Sequence, residues 1–298
     1  YTVDENGLQV TLAQNGLSVS PAALAEDTKL FFSNVIAEDP GRIYVADAKI
    51  LPAKTMTAQA IHDATAGDVK NAGYDAATDS IIPERIGAEF DVTAAQAALD
   101  AAAPGETVTL DATVELPAVT AEELQGVLFR DVLGQCRTHV SGTAARINNV
   151  KLSAAACNGV VLNTGDVFSY NATTGQRTTA KGYQAAPAYV QGETVDEVGG
   201  GVCQTSSTLY YACLRSNLEI TERYAHRYVP AYIDWGMDAT VSWGGPDYKF
   251  TNNTNYPIKI VTSYSGGYLT IKILGTNVDG TSVKMTNEVL STTPWETV

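Results

Sequence analysis

The sequence predicts an α+β fold with two domains: a small N-terminal α+β module, and a C-terminal domain of mixed helices and strands with a central helix starting at Cys203. The length of 298 residues is typical of two domains. In the first part, strand-like alternation is followed at least twice by a capping residue and an alanine-rich helix. Beyond residue 130, tyrosine and glycine become frequent, which indicates a domain boundary there.

The first domain is predicted to span residues 1–130 and to be a binding or spacer module. Its opening stretch, YTVDENGLQVTL, alternates apolar and polar residues as a strand does, and Asn6-Gly7 could divide it into a hairpin. The segment IYVADAKIL predicts another strand. Helices are predicted to start at Ser20-Pro21, at Thr55 or Thr57, at Thr93 and at Thr120.

The second domain is predicted to span residues 131–275, with residues 276–298 as a C-terminal extension. Helices are predicted at 143–157, where Asn158-Gly159 ends the helix, and at 202–215. Strand-like segments lie at 238–250, 256–264 and 268–274, with Ser265-Gly266-Gly267 as a hairpin turn. The extension alternates well enough to add a further strand.

Charge and hydropathy argue against several classes of partner. The chain carries 19 Lys and Arg against 33 Asp and Glu, a formal net charge of −14, which disfavours nucleic acid and anionic membrane surfaces. No apolar run approaches the ~18 residues that a membrane helix needs. Because the chain opens at Tyr1 rather than Met, we expect an ectodomain whose membrane anchor, if it has one, lies outside this sequence.

The four cysteines all lie in the second half, and an even number permits one or two disulfides. Cys203 and Cys213 are ten residues apart in one predicted helix, which separates their Cα atoms by ~15 Å. A disulfide needs less than ~7 Å, so this pair is excluded if the helix is continuous. Cys136 with Cys157 is the better predicted pair in an oxidising envelope, which would leave Cys203 as a free thiol.

Three blocks of the second domain resemble the VanW family. They read GDVFSYNATTGQRTTAKGY at 165–183, GGGVCQTSSTLYYA at 199–212 and EITERYAHRYVPAYIDWGMDATVSWGGPDYKFTNNTNYPIKI at 219–260. The resemblance covers about residues 130–262, with the blocks in the family's order and spacing. One departure is visible. The family's ER-H-x-H segment has two histidines, whereas here Tyr224 takes the first position and His226 the second.

This resemblance implies a bacterial, envelope-facing protein, mostly of Gram-positive type, whose partner is peptidoglycan or its stem peptide. The family is named after an accessory protein of vancomycin-resistance gene clusters, and the resemblance brings no assigned reaction. Residues 43–125 resemble, by pattern alone, a peptidoglycan-binding domain that often precedes VanW domains. The expected location is extracellular, as a cell-wall protein or a membrane-anchored ectodomain.

Cys203 follows three glycines and is predicted to lie in the first turn of a helix. Unpaired N–H groups and the partial positive charge at a helix N-terminus favour a thiolate and stabilise a nearby oxyanion. We therefore predict Cys203 as a nucleophile and His226 as its general base. Asp238, or Glu222 as a second choice, would orient the histidine. Gln204 would donate to the oxyanion or contact the substrate.

Substrate-binding residues are predicted in the same blocks, namely Gly199, Gly200, Gly201, Arg177, Ser206 and Tyr183. The glycines would let a substrate approach the backbone closely. Arg177 would bind a carboxylate, such as the terminus of a peptide stem. Each prediction has a structural alternative, because the glycines could serve a tight turn and Arg177 could form a salt bridge within its loop.

Three functions therefore remain open from the sequence. The first is cysteine-dependent acyl transfer or hydrolysis of wall peptide. The second is a non-catalytic module that binds peptidoglycan, with Cys203 buried and inert. The third is a structural spacer or accessory protein. No cofactor is expected. Cys203, His226 and Asp238 include zinc-ligand types, but no CxxC, HExxH or HxH motif supports a metal site.

Overall fold

The computed structural model describes residues 1–12, 56–103, 105–190 and 193–291. Within these ranges the chain is a mixture of helices and antiparallel sheets, which confirms the predicted α+β class. It divides into two compact units, one of residues 1–70 and 85–116 and one of residues 71–84 and 117–298. The domain boundaries and roles proposed from the sequence stay predictions. The helix predicted at Ser20-Pro21 and the strand predicted for IYVADAKIL lie outside the described residues.

The strands of the described part are β1 (Thr2–Asp4), β2 (Gly7–Thr11), β3 (Gly73–Asp75), β4 (Ser80–Ile82), β5 (Gly87–Phe90), β6 (Thr107–Leu110), β7 (Ala112–Glu115), β8 (Asp131–His139), β9 (Val161–Leu162), β10 (Val167–Ser169), β11 (Ala185–Val190), β12 (Glu193–Val198), β13 (Glu219–Glu222), β14 (Lys249–Thr251), β15 (Ile258–Ser265) and β16 (Tyr268–Gly275). The helices are α1 (Ala58–Thr65), α2 (Val92–Ala101), α3 (Ala121–Val127), α4 (Ala144–Cys157), α5 (Tyr170–Thr174) and α6 (Cys203–Arg215).

The first unit packs α1 and α2 against short antiparallel strands. Among its described strands, β1, β2 and β6 form one sheet and β5 pairs with β7. The hairpin at Asn6-Gly7 is confirmed, because Asp4 pairs with Gly7. Leu8, Ile61 and Leu99 are buried in the core, and each such side chain contributes ~1.5–3 kcal/mol.

Capping side chains start each of the helices α1, α2 and α3. Thr57 accepts a hydrogen bond from the N–H of Ala60 at the start of α1. Thr120 caps α3 as predicted, and with Glu123 it forms a capping box. The predicted cap of α2 was wrong: Asp91 is the cap rather than Thr93, because a carboxylate accepts two backbone N–H groups there.

The core of the second unit is built on an antiparallel sheet. Four described strands lie in the order β8-β16-β15-β9, and β15 and β16 form a hairpin that turns at Gly266-Gly267. Alternate side chains of β16 face the core, and Leu269, Ile271 and Ile273 are fully buried. A second group of described strands, in the order β10-β14-β13, carries the stacked rings of Phe168 and Phe250.

Helix α6 is the central helix of this unit and starts at Cys203 as predicted. It packs closely against β8. Gly134 of β8 has no room for a side chain, since an added Cβ would lie 2.5 Å from the carbonyl oxygen of Ala212. Helix α4 also matches its prediction, with Thr143 as the N-cap and Gly159 in the left-handed region beyond the last turn.

Two expectations for the second unit were wrong, and a third is only partly covered by the described residues. The segment 238–250 is strand only at Lys249–Thr251, since its earlier residues are held by side chains of α6 rather than by a sheet. Cys136 and Cys157 are both free thiols, so the predicted disulfide is not formed. Residues 276–291 contain no strand, and the rest of the predicted extension lies outside the described residues.

The turn before α6 generates a stability prediction. A Cβ at Gly200 would clash with the backbone carbonyl of Ala186, which cannot move as a side chain can. We expect Gly200→Ala to lower the free energy of unfolding by ~1–3 kcal/mol, measured by urea denaturation. Gly126→Ala in α3 is the matched control, since open space surrounds that Cα and alanine should stabilise the helix by ~0.5–1 kcal/mol. Equal effects at the two positions would contradict this account.

Candidate functional site

The chain reaches Cys203 through a tight glycine turn. Gly199 and Gly201 have φ angles of +94° and +101°, which side chains on L residues rarely adopt. A Cβ at Gly201 would lie 2.6 Å from Cγ of Arg146. The three glycines therefore have the structural role foreseen as the alternative, and their contact with a substrate stays a prediction.

The thiol of Cys203 differs from the other three in its surroundings. It is half-buried, and its Sγ lies 3.4 Å from the carbonyl oxygen and 3.5 Å from the amide nitrogen of Val241. Cys136, Cys157 and Cys213 are buried, and burial raises the pKa of Cys136 and of Cys157 to about 12. Those three are inert core thiols, which leaves Cys203 as the accessible one.

His226 links Cys203 to Asp238. The ring Nδ1 of His226 lies 2.7 Å from Oδ2 of Asp238, and the backbone N–H of His226 donates to the same oxygen at 2.6 Å. A carboxylate only accepts, so Nδ1 carries the hydrogen of that bond and Nε2 is the remaining ring nitrogen, while Cys203 is close enough to act on the charge of His226. The structure thus brings three predicted residues together in the order cysteine, imidazole and carboxylate.

The charges of this group reinforce each other. Burial alone would lower the pKa of His226, but the hydrogen bond and charge of Cys203, followed by those of Asp238, raise it above its ordinary value. Burial would raise the pKa of Asp238, but the N–H groups of His226 and the charges of His226 and Arg223 lower it. The protonated imidazole and the ionised carboxylate are therefore both favoured.

Asp238, not Glu222, is the partner of His226. Arg223 holds the other carboxylate oxygen of Asp238 at 2.9 Å and donates to its backbone carbonyl at 2.7 Å. Glu222 instead pairs with Lys249 at 2.8 Å. Sequence reasoning missed Arg223, although its place three residues before His226 in the ERYAH segment was a usable signal.

Hydroxyl groups in the first turns of α6 hold the loop that carries Asp238. Ser206 donates to the carbonyl of Ala239 at 2.7 Å, and the N–H of Ala239 donates to Ser207 at 3.0 Å. Ser206 is fully buried, so in this structure it fixes the loop rather than facing solvent. Its predicted substrate contact is not tested.

The side chain of Gln204 points into the protein. Its Nε2 donates to the hydroxyl of Thr138 at 3.0 Å and to the carbonyl of His139 at 2.9 Å. Its Oε1 accepts from Arg146 at 2.7 Å. Both amide protons are therefore used, and this conformation leaves neither for an oxyanion.

The backbone N–H of Cys203 is an alternative oxyanion donor to the side chain of Gln204. The N–H groups of Gln204 and Thr205 donate to the carbonyls of Gly201 and Val202, at 3.0 and 2.9 Å. The N–H of Cys203 finds no acceptor among the described residues. This group is the better candidate for an oxyanion donor, because it belongs to the predicted nucleophile itself.

Arg177 and Tyr183 are placed away from the triad's hydrogen bonds. Arg177 is buried, donates to Asn171 at 2.7 Å and to the carbonyl of Gly175 at 3.1 Å, and lies over the ring of Tyr170. Tyr183 is buried in the apolar core, where burial raises its pKa. Both have structural roles here, and their predicted substrate contacts stay untested.

Within the described residues, no group of three or more His, Cys, Asp and Glu side chains is placed to hold a metal ion. None of the helices in that part of the chain is both long and apolar enough to span a membrane.

The fold and site define a mixed α+β domain with a Cys–His–Asp group at the start of its central helix. Residues 145–274 match the family model described as VanW like protein, so this segment is a VanW family domain, and the resemblance predicted for about 130–262 is confirmed from residue 145 onward. The chain is 40% identical over 175 residues to YoaR of Bacillus subtilis (strain 168), which covers 58% of each chain. It is 29% identical over 120 residues to the vancomycin B-type resistance protein VanW of Enterococcus faecalis (strain ATCC 700802 / V583), covering 39% of this chain and 44% of that protein.

The chain therefore spans less than two thirds of the length of each of these relatives. No solved structure matches it significantly.

The geometry predicts the titration of His226. We expect its imidazole, followed by NMR, to titrate above the ordinary value of ~6.5. We expect Cys203→Ala to lower that pKa, because the interaction with the Cys203 side chain is the largest effect that raises it. Cys136→Ala is the control, since Cys136 is a buried thiol on β8 that does not act on His226. A titration of His226 that Cys203→Ala leaves unchanged would contradict the contact.

Proposed function

We propose that the VanW family domain is a cysteine-dependent enzyme that transfers or hydrolyses acyl groups of cell-wall peptides. The observation that carries this proposal is the His226–Asp238 pair, joined by two hydrogen bonds, together with the electrostatic interaction of Cys203 with His226. A nucleophile needs a base within reach, and the base needs a third group that fixes its orientation. Here Asp238 receives both the ring and the backbone N–H of His226, which fixes the imidazole in two ways.

The proposed reaction has two stages. The Sγ of Cys203 attacks a peptide carbonyl carbon as His226 holds the thiol proton, and the resulting oxyanion accepts the N–H of Cys203. The C–N bond then breaks, His226 gives its proton to the leaving amine, and a thioester remains on Cys203. In the second stage, water or an acceptor amine attacks the thioester while His226 takes its proton. The C–S bond then breaks, and His226 returns the proton to the sulfur of Cys203.

The proposed substrate is peptidoglycan or its stem peptide, at the outer side of a bacterial envelope. Support comes from the relative named for vancomycin B-type resistance, since resistance of that kind concerns the cell wall. The acidic chain, with a net charge of −14, makes a purely electrostatic attachment to anionic polymers unfavourable. Recognition would therefore depend on local contacts near Cys203.

We likewise propose a cell-wall or membrane-anchored location outside the cell.

A non-catalytic peptidoglycan-binding or accessory role is the second candidate. It is favoured by three large aromatic side chains, Tyr224, Trp235 and Trp243, which are about half exposed in the same loop that carries His226 and Asp238. Exposed aromatic rings are common at binding surfaces, because they bury much area with few rotatable bonds. In this role Cys203 would do no more than contact Val241.

Alkylation of the native protein separates the two candidates. If the enzyme proposal is correct, iodoacetamide labels Cys203 faster than an ordinary thiol at pH 6–7, as mapped by mass spectrometry. His226→Ala should slow this labelling by ~10²-fold, because it removes the group that holds the thiol proton. Asp238→Asn should slow it less, because the ring remains.

The three buried cysteines are an internal control in the same experiment. Cys136, Cys157 and Cys213 should be labelled only after unfolding. Labelling of Cys203 that is equally slow in the native protein and in His226→Ala would refute the enzyme proposal and favour the binding role.

A further inference from the structure

Arg146 places a guanidinium beside Cys203 from a different helix. Its aliphatic stem crosses the glycine turn, where a Cβ at Gly201 would lie 2.6 Å from its Cγ. Its Nη2 donates at 2.7 Å to the side chain of Gln204, the residue after the cysteine. The stem of Arg146 thus lies against the turn before Cys203, and its guanidinium is hydrogen-bonded to the residue after it; the side chain comes from the first turn of α4.

This cation has no carboxylate partner among the described residues. Its Nη1 donates to the carbonyl of Ser141 at 2.8 Å, so the protein satisfies two of its five N–H groups with neutral acceptors. Burial lowers the pKa of Arg146, while Tyr232 and Cys203 act in the opposite direction. A half-buried cation without a counter-ion is costly, and an anionic ligand would offset that cost.

Arg146 differs in this respect from the other arginines near the site. Arg223 is neutralised by Asp238 at 2.9 Å. Arg177, the cation first expected to bind a carboxylate, is buried and held by Asn171 and Gly175. Of these three arginines in the described part of the chain, Arg146 is the one that combines unused N–H groups with a position beside Cys203.

We propose that Arg146 binds a carboxylate of the substrate beside Cys203, so that the acyl group under attack belongs to a peptide bond next to a free C-terminus. This inference rests on the proposed function and adds the substrate class. The bond that breaks is the C–N bond of the last amide. The leaving group is the terminal amino acid, which takes its proton from His226 and keeps its carboxylate on Arg146. A guanidinium suits this role because it can hold both carboxylate oxygens at once.

Two alkylating reagents of similar size test the inference without a known substrate. Iodoacetate carries a carboxylate where iodoacetamide carries a neutral amide, and the same thiolate displaces iodide from both. The ratio of their rates at Cys203 therefore cancels differences in thiol ionisation. We expect native protein to show an iodoacetate-to-iodoacetamide ratio ~10-fold above that of glutathione, and Arg146→Gln to remove the excess.

Two further variants show whether a change in the ratio comes from the lost cation at residue 146 or from a general effect of the substitution. Arg146→Lys keeps the charge and should retain part of the excess ratio. Arg137→Gln removes an exposed cation of β8, which lies over Tyr268, and should leave the ratio unchanged. A native ratio equal to that of glutathione, or an excess that survives in Arg146→Gln, would overturn the inference.

The same data distinguish failure of this inference from failure of the proposed function. The absolute iodoacetamide rate at Cys203 tests the activated nucleophile, whereas the ratio tests only the carboxylate site. A fast rate with an ordinary ratio rejects Arg146 alone. A slow rate with an elevated ratio rejects the enzyme and keeps a carboxylate-binding site. A Cys203 that neither reagent reaches in the folded protein rejects both.

Discussion

The carboxylate of Asp238 is the interaction on which the site depends. It accepts Arg223 on one oxygen and both N–H groups of His226 on the other. The loop from Arg223 to Asp238 contains no strand, so this carboxylate fixes the imidazole where a sheet does not. Without it, Arg223 would lose its ionic partner and His226 the acceptor that sets its ring orientation. The half-buried position of the group strengthens these contacts relative to those at an open surface.

The other half of the site is the start of α6. This helix is unusual in burying a run of polar side chains, from Gln204 to Thr208. Each of them is satisfied by hydrogen bonds to neighbouring elements, as Thr208 is by Thr138 at 2.9 Å and Thr205 is by Ser153 at 2.8 Å. Buried polar groups need such partners, so the network requires a specific arrangement of β8, α4 and the loop around α6. The position of Cys203 is therefore determined by the fold of the whole domain.

Much of this could be predicted from local patterns, and the rest could not for physical reasons. Local patterns predicted α4 and α6, since Asn158-Gly159 marks the end of α4 and a helical-looking apolar run follows Cys203 in α6. The segment 238–250 also resembles a strand locally, yet hydroxyl groups of α6 hold it as a loop, and no local pattern reports that. The pairing of Cys203 with His226 was suggested by the family blocks. Arg146 was missed because its contact with Gln204 spans 58 positions, which no local pattern reports.

The most direct measurement is a search for an acyl group on Cys203. Native protein and Cys203→Ala would each be mixed with soluble peptidoglycan fragments, quenched in acid and digested. The mass of the peptide that contains residue 203 would then be measured by mass spectrometry in both samples. The account predicts a mass increase on Cys203 that hydroxylamine removes, together with shortened or exchanged stem peptides in the native sample only. Stem peptides altered equally by native protein and by Cys203→Ala, or altered by neither, would contradict it.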